Sequence, residues 1–364
     1  MSGPDYPHRL QGVRAALESE SIDAMLVTDL VNVRYLTGYD GSNGLVVVHG
    51  GGATFMTDFR YVTAAEPIAE IMDVRMLEGE TSRFLGEHLN DIAPGANRIG
   101  IEAAHVSVAT HSKLEAAFGA DRELVATGDV VESLRLVKDA YELDAIRRSA
   151  ALIAPVYETI AAEGLGGKRE LDVAWRVREL FRDLGADDLS FDTIVASHER
   201  GAMPHVHPGE SVISAGTLVT IDLGCYLNGY ASDCTRTFAV GEPDADLSEI
   251  YAICLEAQLT ALAAVAPGMG GREVDAVARE VITAAGHGDH FGHGLGHGVG
   301  LAIHEGPRLS TASHATLEAG MVVTVEPGIY VPGRGGVRIE DLVIVTDTGS
   351  ERLTAYPKEL QRVA

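Results

Sequence analysis

Four acids in this sequence share one kind of place, the edge of an apolar run. Asp222 lies near the end of Leu218-Val-Thr-Ile-Asp222-Leu-Gly224, and Glu326 closes Val322-Val-Thr-Val-Glu326 before Pro327. Asp233 stands in Ser232-Asp233-Cys-Thr-Arg236, and Glu340 follows Val337-Arg338-Ile339 directly ahead of Asp341 and Leu342-Val-Ile-Val345. A carboxylate buried in such surroundings is expensive unless it is paired or bound to metal. One strand acid alone could face solvent, but four beside a histidine-rich loop are harder to dismiss. That loop runs from His287 through His290, His293 and His297 to His304, with glycines between. Glycine permits close backbone approach, and imidazole supplies a neutral ligand or a proton carrier near pH 7.

Four carboxylates and one histidine suit two adjacent divalent ions, and Mn²⁺ or Co²⁺ fits the mixed oxygen and nitrogen shell. Paired ions lower the pKa of a shared water and polarise an acyl oxygen. Other chemistries lack their signatures. His198-Glu-Arg-Gly-Ala202 and His304-Glu-Gly-Pro-Arg308 both miss the second histidine of HExxH. There is no GxSxG elbow, and the glycine-rich loop has neither GxGxxG nor Walker A spacing. Spacing alone reaches a carboxylate metal site in a cleft and stops short of a substrate.

The elements that must position these residues read as two blocks. Up to about residue 130, strands at 23–28, 45–48, 53–57 and 98–101 alternate with helical stretches at 9–20, 58–70, 80–91 and 106–118, which makes a small α/β domain. A connector follows near 127–138. Leu143, Ile146, Ala150, Ile153 and Val156 then recur at three or four residues, which fits one face of a long helix over 139–163 that Pro155 kinks or divides. Gly167-Lys-Arg-Glu-Leu-Asp172 is echoed 103 residues later by Gly270-Gly-Arg-Glu-Val-Asp275, each ahead of a helix. A duplicated, pseudo-symmetric domain with a cleft between its halves is expected. Strands are expected at 191–196, 218–223 and 231–240 in the first half and at 321–326 and 337–346 in the second.

The 364 residues, 46% hydrophobic and 22% charged, exclude a mainly disordered chain and have the length of two domains. With 53 acidic against 28 basic residues the formal charge is -25, which argues against broad nucleic-acid binding. The three cysteines, Cys225, Cys234 and Cys254, are too few for a disulfide scaffold and read as small buried thiols. Alternation points the Cys234 side chain away from that of Asp233. No apolar signal core opens the sequence, and no stretch approaches the roughly 20 apolar residues of a membrane span. The expectation is a cytoplasmic protein with no membrane partner.

The ordered set Ile221-Asp-Leu-Gly224, Ser232-Asp-Cys-Thr-Arg236, His293-Gly-Leu-Gly-His297-Gly-Val-Gly300, Val325-Glu-Pro-Gly328 and Val337-Arg-Ile-Glu-Asp341 resembles the pita-bread metallopeptidases, the family of Xaa-Pro dipeptidase (prolidase) and aminopeptidase P. Asn32-Val-Arg-Tyr-Leu-Thr-Gly38 and Thr57-Asp-Phe-Arg-Tyr61 resemble that family's accessory domain. The resemblance implies an α/β (α+β) architecture, with a creatinase-like accessory domain over 1–135 and a pita-bread catalytic domain over 139–364. It implies two divalent metal ions, Mn²⁺ first and Co²⁺ or Zn²⁺ as alternatives, held by Asp222, Asp233, His297, Glu326 and Glu340. Asp222 would chelate one ion, Asp233 and Glu340 would bridge, and His297 and Glu326 would bind the other.

The implied reaction is hydrolysis of the peptide bond preceding proline by a metal-bridging hydroxide, with Glu326 as proton shuttle. His205 matches a family histidine near the substrate, His304 matches one expected to stabilise the tetrahedral intermediate or contact the peptide, and His293 matches one lining the proline side. Arg338 would orient the acidic shell or the substrate carboxylate, and Arg236 would have a structural pairing role. The substrates implied are short proline-containing peptides, foremost Xaa-Pro dipeptides, with aminopeptidase P action on longer peptides as the alternative. Creatine amidinohydrolase shares the fold without metal, and inactive relatives serve as interaction proteins, but all five ligand types are retained here. The family further suggests a homodimer.

Overall fold

The computed structural model describes residues 3–364. The chain divides between Arg135 and Leu136 into two compact units. The first is a six-stranded mixed sheet in the order 73–76, 52–57, 45–49, 24–27, 98–102, 123–127. Its central strand, Ala24–Val27, is buried at every residue, as an all-apolar run with neighbours on both sides requires. Helices Thr81–Ile92 and Val108–Phe118 send Leu85, Leu89, Leu114 and Phe118 into the core beside that sheet.

Two local readings of this unit change. Residues 58–70 do not form an α-helix: turns lead into the short 3₁₀ segment Glu66–Glu70. The Asp58 carboxylate accepts from the Arg60 backbone and guanidinium, and Pro67 has no N–H to continue a ladder. Conversely, short helices Leu30–Thr37 and Val130–Arg135 occupy positions where none was expected. Asp29 caps the first, and Gly38 ends it with φ 76°. The buried Glu102 carboxylate ties this corner together, accepting from the Thr28 and Asp29 N–H groups and from Asn32 Nδ2.

In the second unit the expected long helix is two helices, Ala140–Ala151 and Ile153–Glu163, which meet at Leu152. Pro155 sits in the first turn of the second, where a missing N–H costs nothing but the preceding helix cannot run through it. The expected duplication appears as repeated architecture, in a different register. Helices Glu170–Asp183 and Gly271–Ala284 have 14 residues each and lie 101 positions apart rather than 103. Each starts at an isolated β-bridge, Arg169 with Val212 and Gly270 with Thr316. Their buried faces correspond, Val173, Val177 and Phe181 against Val274, Ala278 and Ile282. The two-residue offset shows that burial, rather than the echoed letters, aligns the halves.

Helix Ala245–Ala264 meets a membrane span's length and composition, contrary to the sequence reading. It is a core helix here: Ile250, Tyr251, Cys254, Ala257 and Ala261 pack in the same apolar cluster as Val274, Ala278 and Ile282. A four-stranded sheet, ordered 361–363, 234–240, 217–223, 194–197, carries the first half's acids. A five-stranded sheet, ordered 305–309, 296–298, 322–325, 341–346, 349–352, carries the second half's ligand types.

Candidate metal centre

The acids sit where strand pairing stops or turns. Thr217–Leu223 pairs antiparallel with Cys234–Val240, with Asp222 opposite Thr235, and Asp233 lies just before that second strand begins. In the other sheet Val322–Val325 pairs with Asp341–Thr346, so Glu326 and Glu340 each lie one residue beyond the ladder. His297 comes from the three-residue strand Gly296–Gly298, inserted between two others. That insertion needs glycine: a Cβ on Gly296 would collide with the Thr324 carbonyl, and one on Gly298 with the Gly306 carbonyl.

Asp222, Asp233 and Glu340 each offer a carboxylate oxygen within 4.8 Å of the others, all three buried. His297 Nε2 lies 3.5 Å from Asp233 Oδ2 and 3.3 Å from Glu326 Oε1. Its Nδ1 is 3.0 Å from the Gly298 carbonyl, which only accepts, so Nδ1 carries the proton and Nε2 presents a lone pair to the acids. Burial pushes that imidazole down to about 3, so it is neutral. Burial, then the mutual repulsion of Glu340, Asp222 and Glu326, pushes Asp233 well above the usual carboxylate range. Glu340 moves the same way for the same reasons, and Glu326 rises to about 7, chiefly through burial.

Two ligand oxygens are left over. Asp222 Oδ1 and Glu340 Oε1 are buried without a hydrogen-bond partner among the described residues, while the second oxygen of each is held, Asp222 Oδ2 by Arg338 at 2.7 Å and Glu340 Oε2 by Thr235 at 2.7 Å. Orphaned acceptors beside a bare imidazole lone pair are costly for the protein alone. They are what a divalent cation completes, so the donor set fits a carboxylate–histidine metal centre.

Around this cluster lies a cavity of about 580 Å³, and His205, His293, His304 and Arg338 line it together with the five ligand candidates. His205 and His304 are exposed at its wall, and the His304 ring stands edge-on to His297 at 4.4 Å. His293 gives its Nδ1 proton to the Gly294 carbonyl at 2.8 Å, so its Nε2 accepts from the Tyr330 hydroxyl at 2.9 Å. Burial holds His293 down to about 4. Arg338 donates to Asp222, to the Thr235 and Tyr330 hydroxyls and to the Pro204 carbonyl. Arg236 lies behind, against Asp341 at 2.8 Å, and Cys234 is buried in the apolar core.

Sequence reasoning passed over the hydroxyls that aim the ligands. Thr235 holds Glu340, while Thr324 accepts from the His297 N–H and donates to Glu326. It also passed over Arg308, an exposed guanidinium on the cavity wall four residues after His304. A lone cation beside a metal motif was the available signal.

Residues 144–347 match metallopeptidase family M24, and residues 9–137 match the creatinase/prolidase N-terminal domain. The chain belongs to family M24. This M24 chain is 42% identical over 352 residues to the uncharacterized peptidase YqhT of Bacillus subtilis, covering 97% of the chain and 99% of the relative. It is 38% identical over 355 residues to a Xaa-Pro dipeptidase of Pyrococcus furiosus, covering 97% and 99%. Among solved structures, the Xaa-Pro dipeptidase from Bacillus anthracis superposes with a TM-score of 0.95 at 40% identity, covering 99% of this chain and all 100% of that one. The X-Pro aminopeptidase from Thermotoga maritima superposes with a TM-score of 0.86 at 33% identity, covering 96% and 100%. The M24 chain therefore has the creatinase-type N-terminal unit and the pita-bread catalytic unit, and it is a peptidase.

Proposed function

We propose that this M24 peptidase hydrolyses the bond preceding proline in Xaa-Pro dipeptides, using two divalent ions, Mn²⁺ foremost. The observation that carries the metal reading is the clustering of Asp222, Asp233 and Glu340 with His297 and Glu326, in which Asp222 Oδ1 and Glu340 Oε1 stay buried without a partner among the described residues. Asp222, Asp233, His297, Glu326 and Glu340 would hold the ions. When bound, they neutralise the acids, ease ionisation of a water and polarise the acyl oxygen.

The chain's own groups do the rest. His205 and His304, on the cavity wall, donate hydrogen bonds to oxygen as it gains charge. Glu326, steadied by Thr324, takes the proton of the attacking water and passes it to the prolyl nitrogen. Tyr330 fixes the ring of His293, whose wall faces the proline. Four of the five N–H donors of Arg338 go to Asp222, Thr235, Tyr330 and Pro204, so it orients the acidic cluster. Arg308 is then the cavity's guanidinium suited to a substrate carboxylate. Three buried, unbridged cysteines suit a reducing compartment, and we place the enzyme in the cytoplasm as a homodimer.

The likeness to an X-Pro aminopeptidase favours a second reading, release of the first residue from longer peptides. Protein stripped with chelator and reloaded with Mn²⁺ separates the two in one mixture of Ala-Pro, Ala-Pro-Ala and Ala-Ala-Ala. Selective loss of Ala-Pro is the expected result. Alanine released from Ala-Pro-Ala establishes the aminopeptidase. Activity on neither proline peptide, with two ions bound, removes the substrate assignment.

A further inference from the structure

Beside the metal cavity lies a second hollow of about 340 Å³, and the two share Asp192 and His207 in their walls. Helix Glu170–Asp183 forms one side. It buries Val173, Val177 and Phe181 and turns Trp175 outward, leaving this sole tryptophan 59% exposed. Leu171 and Leu189 extend the apolar wall. Thr193, 4% exposed, belongs to the same wall, and its Oγ1 has no partner among the described residues.

We propose that this lobe receives the side chain of the residue before proline and that Trp175 sets a preference for large apolar or aromatic side chains there. The inference rests on the Xaa-Pro reading and adds its selectivity. In an Xaa-Pro dipeptide the proline ring and the carboxylate are constant, so one side chain alone varies. Room for it must border the metal cavity yet lie outside the ligand cluster, and this lobe does both, with Asp192 and His207 in the walls of each. An uncovered indole on such a wall gains from being covered, and an aromatic occupant adds ring–ring attraction.

The test uses the Mn²⁺-loaded full chain and compares kcat/KM for Phe-Pro and Ala-Pro in the wild type, Trp175→Ala and Trp175→Phe. Trp175→Ala lowers the Phe-Pro to Ala-Pro ratio roughly two- to tenfold, from the usual worth of an aromatic pair, and Trp175→Phe restores most of it. Because the chain has one tryptophan, its emission reports the lobe directly. Phe-Pro shifts that emission to shorter wavelength and protects it from acrylamide, more than Ala-Pro does. A ratio unchanged in Trp175→Ala, with emission unmoved by Phe-Pro, overturns the proposal. So does altered self-association in Trp175→Ala with an unchanged ratio, which assigns the indole to a contact between copies. If neither dipeptide is hydrolysed, the Xaa-Pro reading fails by itself; emission then still decides the lobe, and no response to Phe-Pro rejects it.

Discussion

Glu326 makes the electrostatic cost of the metal-free centre measurable. Burial, with the Asp222 charge adding and Arg338 opposing, raises its carboxyl from 4.5 to about 7. At about 1.4 kcal/mol per pKa unit, ionised Glu326 costs the metal-free fold about 3 kcal/mol. The folded state binds this proton more tightly than the unfolded chain does. The associated stability is therefore complete below pH 4.5, drains away as pH rises, and is gone above about 7. His293 and His297, held down to about 4 and about 3, slope the other way, so raw stability curves mix the signs.

Glu326→Gln removes that charge, because glutamine mimics the protonated carboxyl; it also lifts the Glu326 repulsion from Asp233 and Glu340, so the comparison reads the acidic cluster through Glu326. In chelator, variant and wild type unfold together near pH 4.5. By pH 8 the variant is the more stable by about 3 kcal/mol, roughly 6–12 °C in Tm for a unit of this size. Thermal unfolding followed by circular dichroism across that range checks it. With saturating Mn²⁺ the order at pH 8 reverses, since glutamine is the poorer ligand. A difference in chelator that does not grow with pH, or a variant less stable at pH 8, refutes the electrostatic account of this site.

Asp233→Ala, which removes one of the three converged carboxylates, lowers bound metal by at least one equivalent by elemental analysis and abolishes hydrolysis; full occupancy with full rate would sink its ligand role. His205→Ala, exposed on the cavity wall, keeps both ions but loses roughly 100- to 1,000-fold in kcat, the usual cost of one lost oxyanion donor. Loss of both ions there would make it a ligand instead. Arg308→Met raises KM for Ala-Pro roughly 10- to 100-fold, from about 1.5–3 kcal/mol for a charge-assisted hydrogen bond, and leaves Ala-Pro-amide little affected. Equal effects on acid and amide would remove the carboxylate assignment.

Much of the fold was legible, because patterning by burial is a local signal. The all-buried run Ala24–Val27 and the stripe through Leu85 and Leu89 declare their elements outright. The acids at strand edges announced themselves by the cost of their surroundings, and all of them line one cavity. Less was legible where a long-range partner decides. The segment after Asp58 has helical composition, yet its side chain caps a turn instead. Thr235 and Thr324 pass for ordinary strand formers until the fold sets their hydroxyls beside Glu340 and Glu326. The exposure of Trp175 beside a cavity is a property of packing, and no periodicity encodes it.

The duplicated halves divide the ligands unequally. Asp222 and Asp233 come before the Gly241–Asp244 turn, and His297, Glu326 and Glu340 after it. A break in the backbone at that turn would leave two acids on one fragment and the imidazole with two acids on the other. Neither fragment could then chelate as the whole does. The final strand Gln361–Val363 pairs with Cys234–Val240 across the break, so co-expressed fragments retain a β-ladder to find one another. Tight metal retention by such a split protein would report reassembly, with the cation acting as the rivet between the two pieces.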